Sequence, residues 1–398
     1  MKKKLSFRKI VNTLHLWVGV PCALILFIVC LTGTIYVFQK EITRWVDSDK
    51  YKLASATGPW MQVDSLVATV ERGFPELKTT VVQIPEKNDE AWLLTLAPPV
   101  KKDPGAEKAD IKKRTRILIV NPYTGSIQGD ARTPAFQFFE KVIELHRWLL
   151  LDHKIGAVIT GTSALLFVLL EITGLILWAP QKLKSWKKRN AWKSGFSIKF
   201  KANWKRVNHD LHKTLGFYTF LLITILGLTG PYFGFEWYKN GVISLVGAKS
   251  VKEKASKSLI GSSVSLDSVI AKSRTILSYD GDLRLNLPKT PQGATTLLKV
   301  RTGFFASAAV DRIEFASGNK ISRIDRFTDR STGEKIISLM RSIHTGEIFG
   351  TFSKIIYFIV CLIATSLPVT GVMIWLNKKK KNAPVVSVNA RLTPVASL

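Results

Sequence analysis

The sequence predicts an integral membrane α-helical protein: a four-helix transmembrane bundle built from two parallel repeats, with two α+β domains outside the bilayer. Three observations carry this reading, namely four long apolar runs, the placement of the basic residues and an internal repeat.

Crossing roughly 30 Å of hydrocarbon takes about 20 helical residues. Four apolar runs reach that length, over 16–38, 155–179, 215–233 and 355–376. In lipid a single segment satisfies its own backbone only as a helix. The first run follows Met1-Lys2-Lys3-Lys4 and so has the flank of a secretory signal. It is longer than the roughly 7–15 apolar residues of such signals, which favours a retained signal-anchor helix.

The chain carries 58 basic and 29 acidic residues with 46% apolar residues, a balance that argues against a nucleic-acid partner. The excess is concentrated. Lys2, Lys3, Lys4, Arg8 and Lys9 precede span one, the loop over 181–206 holds ten Lys or Arg and no acid, and the tail opens Lys378-Lys379-Lys380-Lys381. The positive-inside rule places all three in the cytoplasm. The expected location is a bacterial inner membrane, multi-pass, with both termini cytoplasmic and the lipid bilayer as the first partner. The expected organisation is arm and span one 1–39, external domain 40–145, span two 146–179, basic loop 180–208, span three 209–234, external domain 235–343, span four 344–377 and tail 378–398. Cys22, Cys30 and Cys361 all fall in apolar runs, so no disulfide framework is expected outside, and no Cys-x-x-Cys-His marks covalent haem.

The repeat is read from its markers. His15-Leu16-Trp17-Val18-Gly19 reaches Thr32-Gly33 eighteen residues on, and Leu211-His212-Lys213-Thr214-Leu215-Gly216 reaches Thr229-Gly230 at the same interval. Leu145-His146-Arg147 precedes span two, which ends Thr173-Gly174 with Trp178; Ile343-His344-Thr345-Gly346 precedes span four, which ends Thr370-Gly371 with Trp375. The offset is 197 residues for His15 to His212 and Gly174 to Gly371, and 198 for His146 to His344. Each half holds two spans, so the repeat is parallel. The Thr-Gly pairs suit close helix contact. Outside the bilayer, 61–74 has helical spacing, 91–97, 117–120, 296–300 and 311–315 read as strands, and 101–113 as an exposed loop.

All six histidines lie within about ten residues of the start of a span. Symmetry selects His15 with His212 inside and His146 with His344 outside; His209 and His153 have no counterparts. Two imidazoles related by the bundle axis suit a ligand lying on that axis, and haem is such a ligand, with axial nitrogens on opposite faces and an apolar macrocycle between helices. Two haems, one near each face, divide the barrier into shorter electron hops. The alternative is that these histidines snorkel or cap helices. A closed zinc site wants four ligands, and no acid recurs beside the histidines in both halves. Glu171, inside span two, is a secondary candidate for a proton relay, with Pro368 at its equivalent. Trp17, Trp148, Trp178, Trp204, Trp237 and Trp375 read as aromatic belts. Arg147 and Arg341 suit haem propionates or lipid headgroups.

At these residues the sequence resembles the PepSY-associated transmembrane helix family, which includes inner-membrane siderophore-iron reductases. The motifs that carry the resemblance are Leu14-His15-Leu16-Trp17-Val18-Gly19, Leu145-His146-Arg147, Asp210-Leu211-His212-Lys213-Thr214-Leu215-Gly216 and Ile343-His344-Thr345-Gly346 with the four Thr-Gly pairs. The resemblance implies PepSY-like periplasmic domains, two haem b groups, and reduction of a ferric siderophore so that iron leaves as the ferrous ion. His15, His212, His146 and His344 match the ligand motifs and would hold the haem iron; His153 and His209 are extra histidines that would serve in place of a neighbour. No Gly-x-Gly-x-x-Gly follows a strand, so the electron donor is a quinol or a separate reductase. Two rivals from other classes are a non-redox PepSY-type regulator of a periplasmic peptidase and a transporter. No residue of a chelate site stands out.

Overall fold

The structure, a computed structural model, describes residues 6–53, 58–99, 114–181, 186–248, 264–288, 293–301 and 309–381. Lys2, Lys3, Lys4 and the loop expected over 101–113 lie outside the described residues. The helices are α1 (Phe7–Tyr36), α2 (Gln39–Val46), α3 (Val63–Arg72), α4 (Pro134–Trp148), α5 (His153–Trp178), α6 (Arg189–Phe196), α7 (Trp204–Thr229), α8 (Glu236–Leu245), α9 (Leu266–Ile276), α10 (Thr332–Thr345) and α11 (Gly350–Lys381). The strands are β1 (Lys78–Ile84), β2 (Trp92–Ala97), β3 (Arg116–Val120), β4 (Ile127–Asp130), β5 (Gly281–Asn286), β6 (Thr295–Arg301), β7 (Val310–Ala316) and β8 (Lys320–Asp325).

Helices α1, α5, α7 and α11 are long and apolar enough to cross a membrane, so this is a multi-pass membrane protein. They form a ring. Helix α1 packs on α5 and α11, and α7 packs on the same two, which leaves α1 and α7 facing each other across the bundle. Leu26 and Leu170 on one side and Ile223 and Leu367 on the other pack against Phe167 at the centre. At Gly227 a Cβ would come 2.8 Å from Val168 Cγ2, the close approach that small residues permit in lipid.

Two expected boundaries need correction. The segments 146–179 and 344–377 are not single spans: His146 belongs to α4 and His344 to α10, and the spans begin after a break at His153 and Gly350. The second break is a left-handed Gly346 (φ 73°) ending α10, the usual use of glycine at a helix C-terminus. In the first half Leu149 and Leu150 take that conformation, at φ 55° and 57°, which costs roughly 1–2 kcal/mol per residue. Asp152 offsets part of this by accepting from Lys154 N (2.9 Å) and Ile155 N (3.4 Å) at the start of α5.

The two extramembrane segments do not form separate domains. Their strands join in one antiparallel sheet of order β4-β3-β2-β1-β5-β6-β7-β8, with β1 paired to β5 so that Val82 lies opposite Leu285. Strands β2 and β7 alternate buried and half-buried residues, the period of two that a one-sided core requires. The buried face, with Leu94, Leu285, Leu297 and Phe315, packs in a single core with Leu66 and Val70 of α3 and Val269 of α9. The two helices exchange caps. Asp267 accepts from Val63 N (2.9 Å) and Asp64 N (3.2 Å), while Asp64 accepts from Leu266 N (3.0 Å) and Ser265 Oγ (2.9 Å).

Each of these carboxylates satisfies orphan N–H groups of the other half's helix, and losing such a cap costs about 1 kcal/mol. Asp64→Ala and Asp267→Ala are each expected to raise amide hydrogen exchange at the β1–β5 seam roughly fivefold. Unchanged exchange at Val82 and Leu285 in both variants would show that the caps do not hold the halves together.

Candidate cofactor site: two histidine pairs at the ends of the bundle

Two histidines meet at each end of the ring. His15 of α1 and His212 of α7 have ring centroids 6.3 Å apart at the end that bears the termini. His146 of α4 and His344 of α10 also stand 6.3 Å apart, at the end nearer the sheet. All four are half-buried, whereas His153 and His209 are exposed. His153 stacks on Trp148 at 3.9 Å, and His209 Nδ1 lies 3.8 Å from the buried Asp210 carboxylate.

Each paired histidine is anchored to a threonine of a Thr-Gly pair. The Nδ1 atoms lie 2.8 Å from Thr173 Oγ1 for His15, 2.9 Å from Thr370 for His212, 3.2 Å from Thr32 for His146 and 2.8 Å from Thr229 for His344. The threonine hydroxyls are committed to carbonyls one turn back in their own helices, such as Leu169 O (2.9 Å) for Thr173 and Ser366 O (3.0 Å) for Thr370. A hydroxyl has one proton to give, so each of these accepts from Nδ1–H. His146 Nδ1 also faces the Val29 carbonyl at 2.9 Å, which only accepts. The tautomer is thereby fixed, and Nε2 keeps its lone pair on the far side of every ring. The glycine beside each threonine makes room: a Cβ on Gly33 or Gly371 would come 3.2 Å from Cε1 of His146 or His212. Close helix contact is therefore only part of what the Thr-Gly pairs do, and the threonines are the site residues that sequence reasoning missed. Their offset matched that of the histidines, but nothing in the sequence says which threonine faces which ring.

A cavity of about 750 Å³ surrounds His15 and His212, walled by Gly19, Gly174, Gly216 and Gly371 with apolar side chains such as Phe167 and Leu367. That is within the range of about 300–1,000 Å³ typical of small-molecule and cofactor sites. Haem fits the residues present. Two imidazoles sharing one metal through Nε2 at about 2 Å have ring centroids roughly 6.4 Å apart, close to the 6.3 Å of both pairs. Among the described residues no three His, Cys, Asp or Glu side chains converge on one point, so a metal here needs its remaining ligands from a group such as a macrocycle.

The flanking residues divide. Arg147 is exposed and lies over the Trp148 ring at 4.5 Å, and Arg341 is exposed nearby. Arg8 donates to Ala179 O (2.9 Å), Ile176 O (3.2 Å) and Leu177 O at the C-terminus of α5, where a cation complements the helix dipole. Trp178 does not sit in an aromatic belt: it is buried, stacks on Phe217 at 3.7 Å and donates to Gly195 O of α6. Trp17, Trp204 and Trp237 are exposed as a belt requires.

Helix α4, which carries His146, starts at Thr133, whose hydroxyl donates to Asp47 (2.6 Å) and accepts from Phe136 N (3.3 Å). Burial pushes the Asp47 carboxyl up, but hydrogen bonds from Lys50 and Thr133 outweigh it and hold it below its usual value. A carboxyl lowered on folding stabilises above its unfolded value, about 3.9, and that stability is lost as pH falls through the folded value. The stability gap between wild type and Asp47→Asn in thermal unfolding should therefore be full at neutral pH and close on acidification below pH 4; a gap independent of pH would refute the assignment. In histidine ¹⁵N spectra of the apo chain, four imidazoles should be neutral with the proton on Nδ1, and Thr173→Val should alter the His15 signal alone among them. Four Nε2-protonated rings would overturn the anchoring scheme.

No curated protein matches the chain. The PepSY-associated TM region family matches it over residues 13–378, a stretch that takes in all four spans, the sheet and both histidine pairs. The chain belongs to the PepSY-associated TM family of membrane proteins.

Proposed function

We propose that the protein is a dihaem electron carrier of a bacterial inner membrane that takes electrons from a quinol or a separate reductase and reduces a ferric siderophore in the periplasm, releasing ferrous iron. The observation that carries this reading is the twofold occurrence of one arrangement: two imidazoles at a metal-sharing distance, each with Nδ1 held by a threonine and, among the described residues, no hydrogen bond at Nε2. In this reading the two halves act as parallel repeats, the termini face the cytoplasm and the sheet lies in the periplasm, in line with the basic residues of 181–206 and the tail.

His15 and His212 would hold one haem b, and His146 and His344 the other. Haem bound there supplies one-electron redox chemistry. The threonines fix each ligand's tautomer and ring orientation, the kind of outer hydrogen bond whose loss typically costs 10–100-fold in metal affinity. Along α1, His15 and the Thr32 that anchors His146 are 17 residues apart, roughly 25 Å at 1.5 Å per residue. The two pairs thus stand near opposite faces of the hydrocarbon, and transfer between them crosses most of the barrier. On the sheet side, partial desolvation against the protein and then the neighbouring Arg341 push the Arg147 guanidinium down from its usual value. Two cations held that close attract an anion, whether a propionate or an anionic chelate. Siderophores hold Fe(III) far better than Fe(II), so one electron is enough to loosen the complex.

The test is the visible spectrum of the purified chain, oxidised and dithionite-reduced. A low-spin b-type spectrum at two haems per chain is expected, with His15→Ala or His212→Ala removing one haem and His146→Ala or His344→Ala the other. Thr173→Val should leave the fold intact and lower occupancy of the first site 10–100-fold at limiting haem. A chain that stays colourless when expressed with added haem would sink the proposal and leave a non-redox periplasmic regulator as the better account.

A further inference from the structure

Glu171 of α5 breaks the correspondence between the halves. The residue 197 positions on is Pro368, so only one half places a carboxyl here. It is 9% exposed and lines the same cavity as His15 and His212. Among the described residues it has no hydrogen bond and no ion pair, unlike Asp210, which is held by Arg206 at 3.0 Å. The titratable groups that face this region are His15 and Arg8 from α1, His209, His212 and Lys213 from α7, and the thiols Cys30 of α1 and Cys361 of α11. Arg8 is committed to the carbonyls at the end of α5, and Lys213 lies with Arg8, Asn12, Gln181 and His209 among the cavity's polar residues.

An ionised carboxylate in an apolar wall needs a positive charge facing it. The proposed cofactor provides one only when oxidised, because a ferric porphyrin core carries one net positive charge and a ferrous core none. Resting on the dihaem reading, we propose that Glu171 is a proton-binding site coupled to electron arrival at the His15–His212 pair. Haem held by His15 and His212 would supply a one-electron site, and for each electron that arrives from the quinol or reductase the Glu171 carboxylate would take one proton from water at the polar residues of the cavity and become the acid. When the electron has passed on toward the sheet-side pair, the Glu171 acid would release its proton by the same residues, so that one electron and one proton leave together. The net charge of the cavity is unchanged at each step, so the barrier to placing charge in a low-dielectric site is removed. The second half, with Pro368, provides no such group at the matching place.

The experiment is a spectroscopic redox titration of the purified holoprotein from pH 6 to 9, with His344→Ala used to isolate the spectrum of the terminus-side haem. Its midpoint potential is expected to fall as pH rises, by up to about 59 mV for each tenfold change in proton concentration, and Glu171→Gln is expected to flatten the dependence at unchanged haem content. A reduced-minus-oxidised infrared spectrum of the wild type should show a carboxylic C=O band that Glu171→Gln lacks; Glu171→Asp, expected to keep the band at a shifted frequency, decides the matter if Glu171→Gln fails to load. A loaded protein whose potential does not vary with pH, or a slope that survives in Glu171→Gln, overturns the coupling while leaving the dihaem reading in place. A protein that binds no haem overturns both.

Discussion

Hydrocarbon offers no water to satisfy a ring nitrogen, so an imidazole near the membrane must find a partner within the protein or remain a cost. For each of the four paired rings the partner is a threonine from another helix. Helix α1 gives His15 to α5 and receives His146 from α4; α7 gives His212 to α11 and receives His344 from α10. These four hydrogen bonds tie the ring together at both ends and set the rotation of each helix about its own axis. Because every threonine proton is committed to its own helix, the direction of each bond is also fixed. The same contacts that align the bundle leave four basic nitrogens available, so packing and chemistry share one set of atoms.

The sheet depends on the same exchange between halves. Asp64 and Asp267 each cap the helix of the other half, and β1 completes its hydrogen bonding on β5. Ion pairs reinforce the junction with the bundle: Lys354 of α11, itself buried, reaches Glu41 of α2 at 2.6 Å, and Lys40 reaches Glu347 at 3.0 Å. Exposed pairs of this kind contribute little, but a buried lysine left without Glu41 would be a heavy cost. These pairs tie α2 to the start of α11 and to the turn that follows α10, the helix that presents His344.

Much of this was legible in the sequence, for identifiable reasons. Spans are long, and twenty apolar residues admit one interpretation. The histidine pairs were legible because a rare residue recurs at a nearly fixed offset. What escaped was whatever depends on contact between distant segments. The strands at Lys78–Ile84 and Gly281–Asn286 carry mixed polar and apolar residues, and their pairing with each other, which fuses two expected domains into one sheet, has no local signal. The break after His146 was hidden because two leucines adopt the left-handed conformation that glycine marks at Gly346. Trp178 looked like a belt residue because its exposure is set by α6, a short helix of mixed polar and apolar residues in the basic loop.

Four of the paired features described above take one member from each half: His15 with His212, His146 with His344, Asp64 with Asp267, β1 with β5. A chain of half this length, with two spans and four strands, would have unsatisfied sheet edges and single imidazoles, and it could complete the ring only against a second copy of itself. The architecture resembles that of a homodimer contained in one polypeptide. In one polypeptide the two halves need not match, and Glu171 opposite Pro368 and Leu149 opposite Gly346 are places where they differ. A symmetric dimer would have to place a carboxyl on both sides of the cavity or on neither; a single chain can place one.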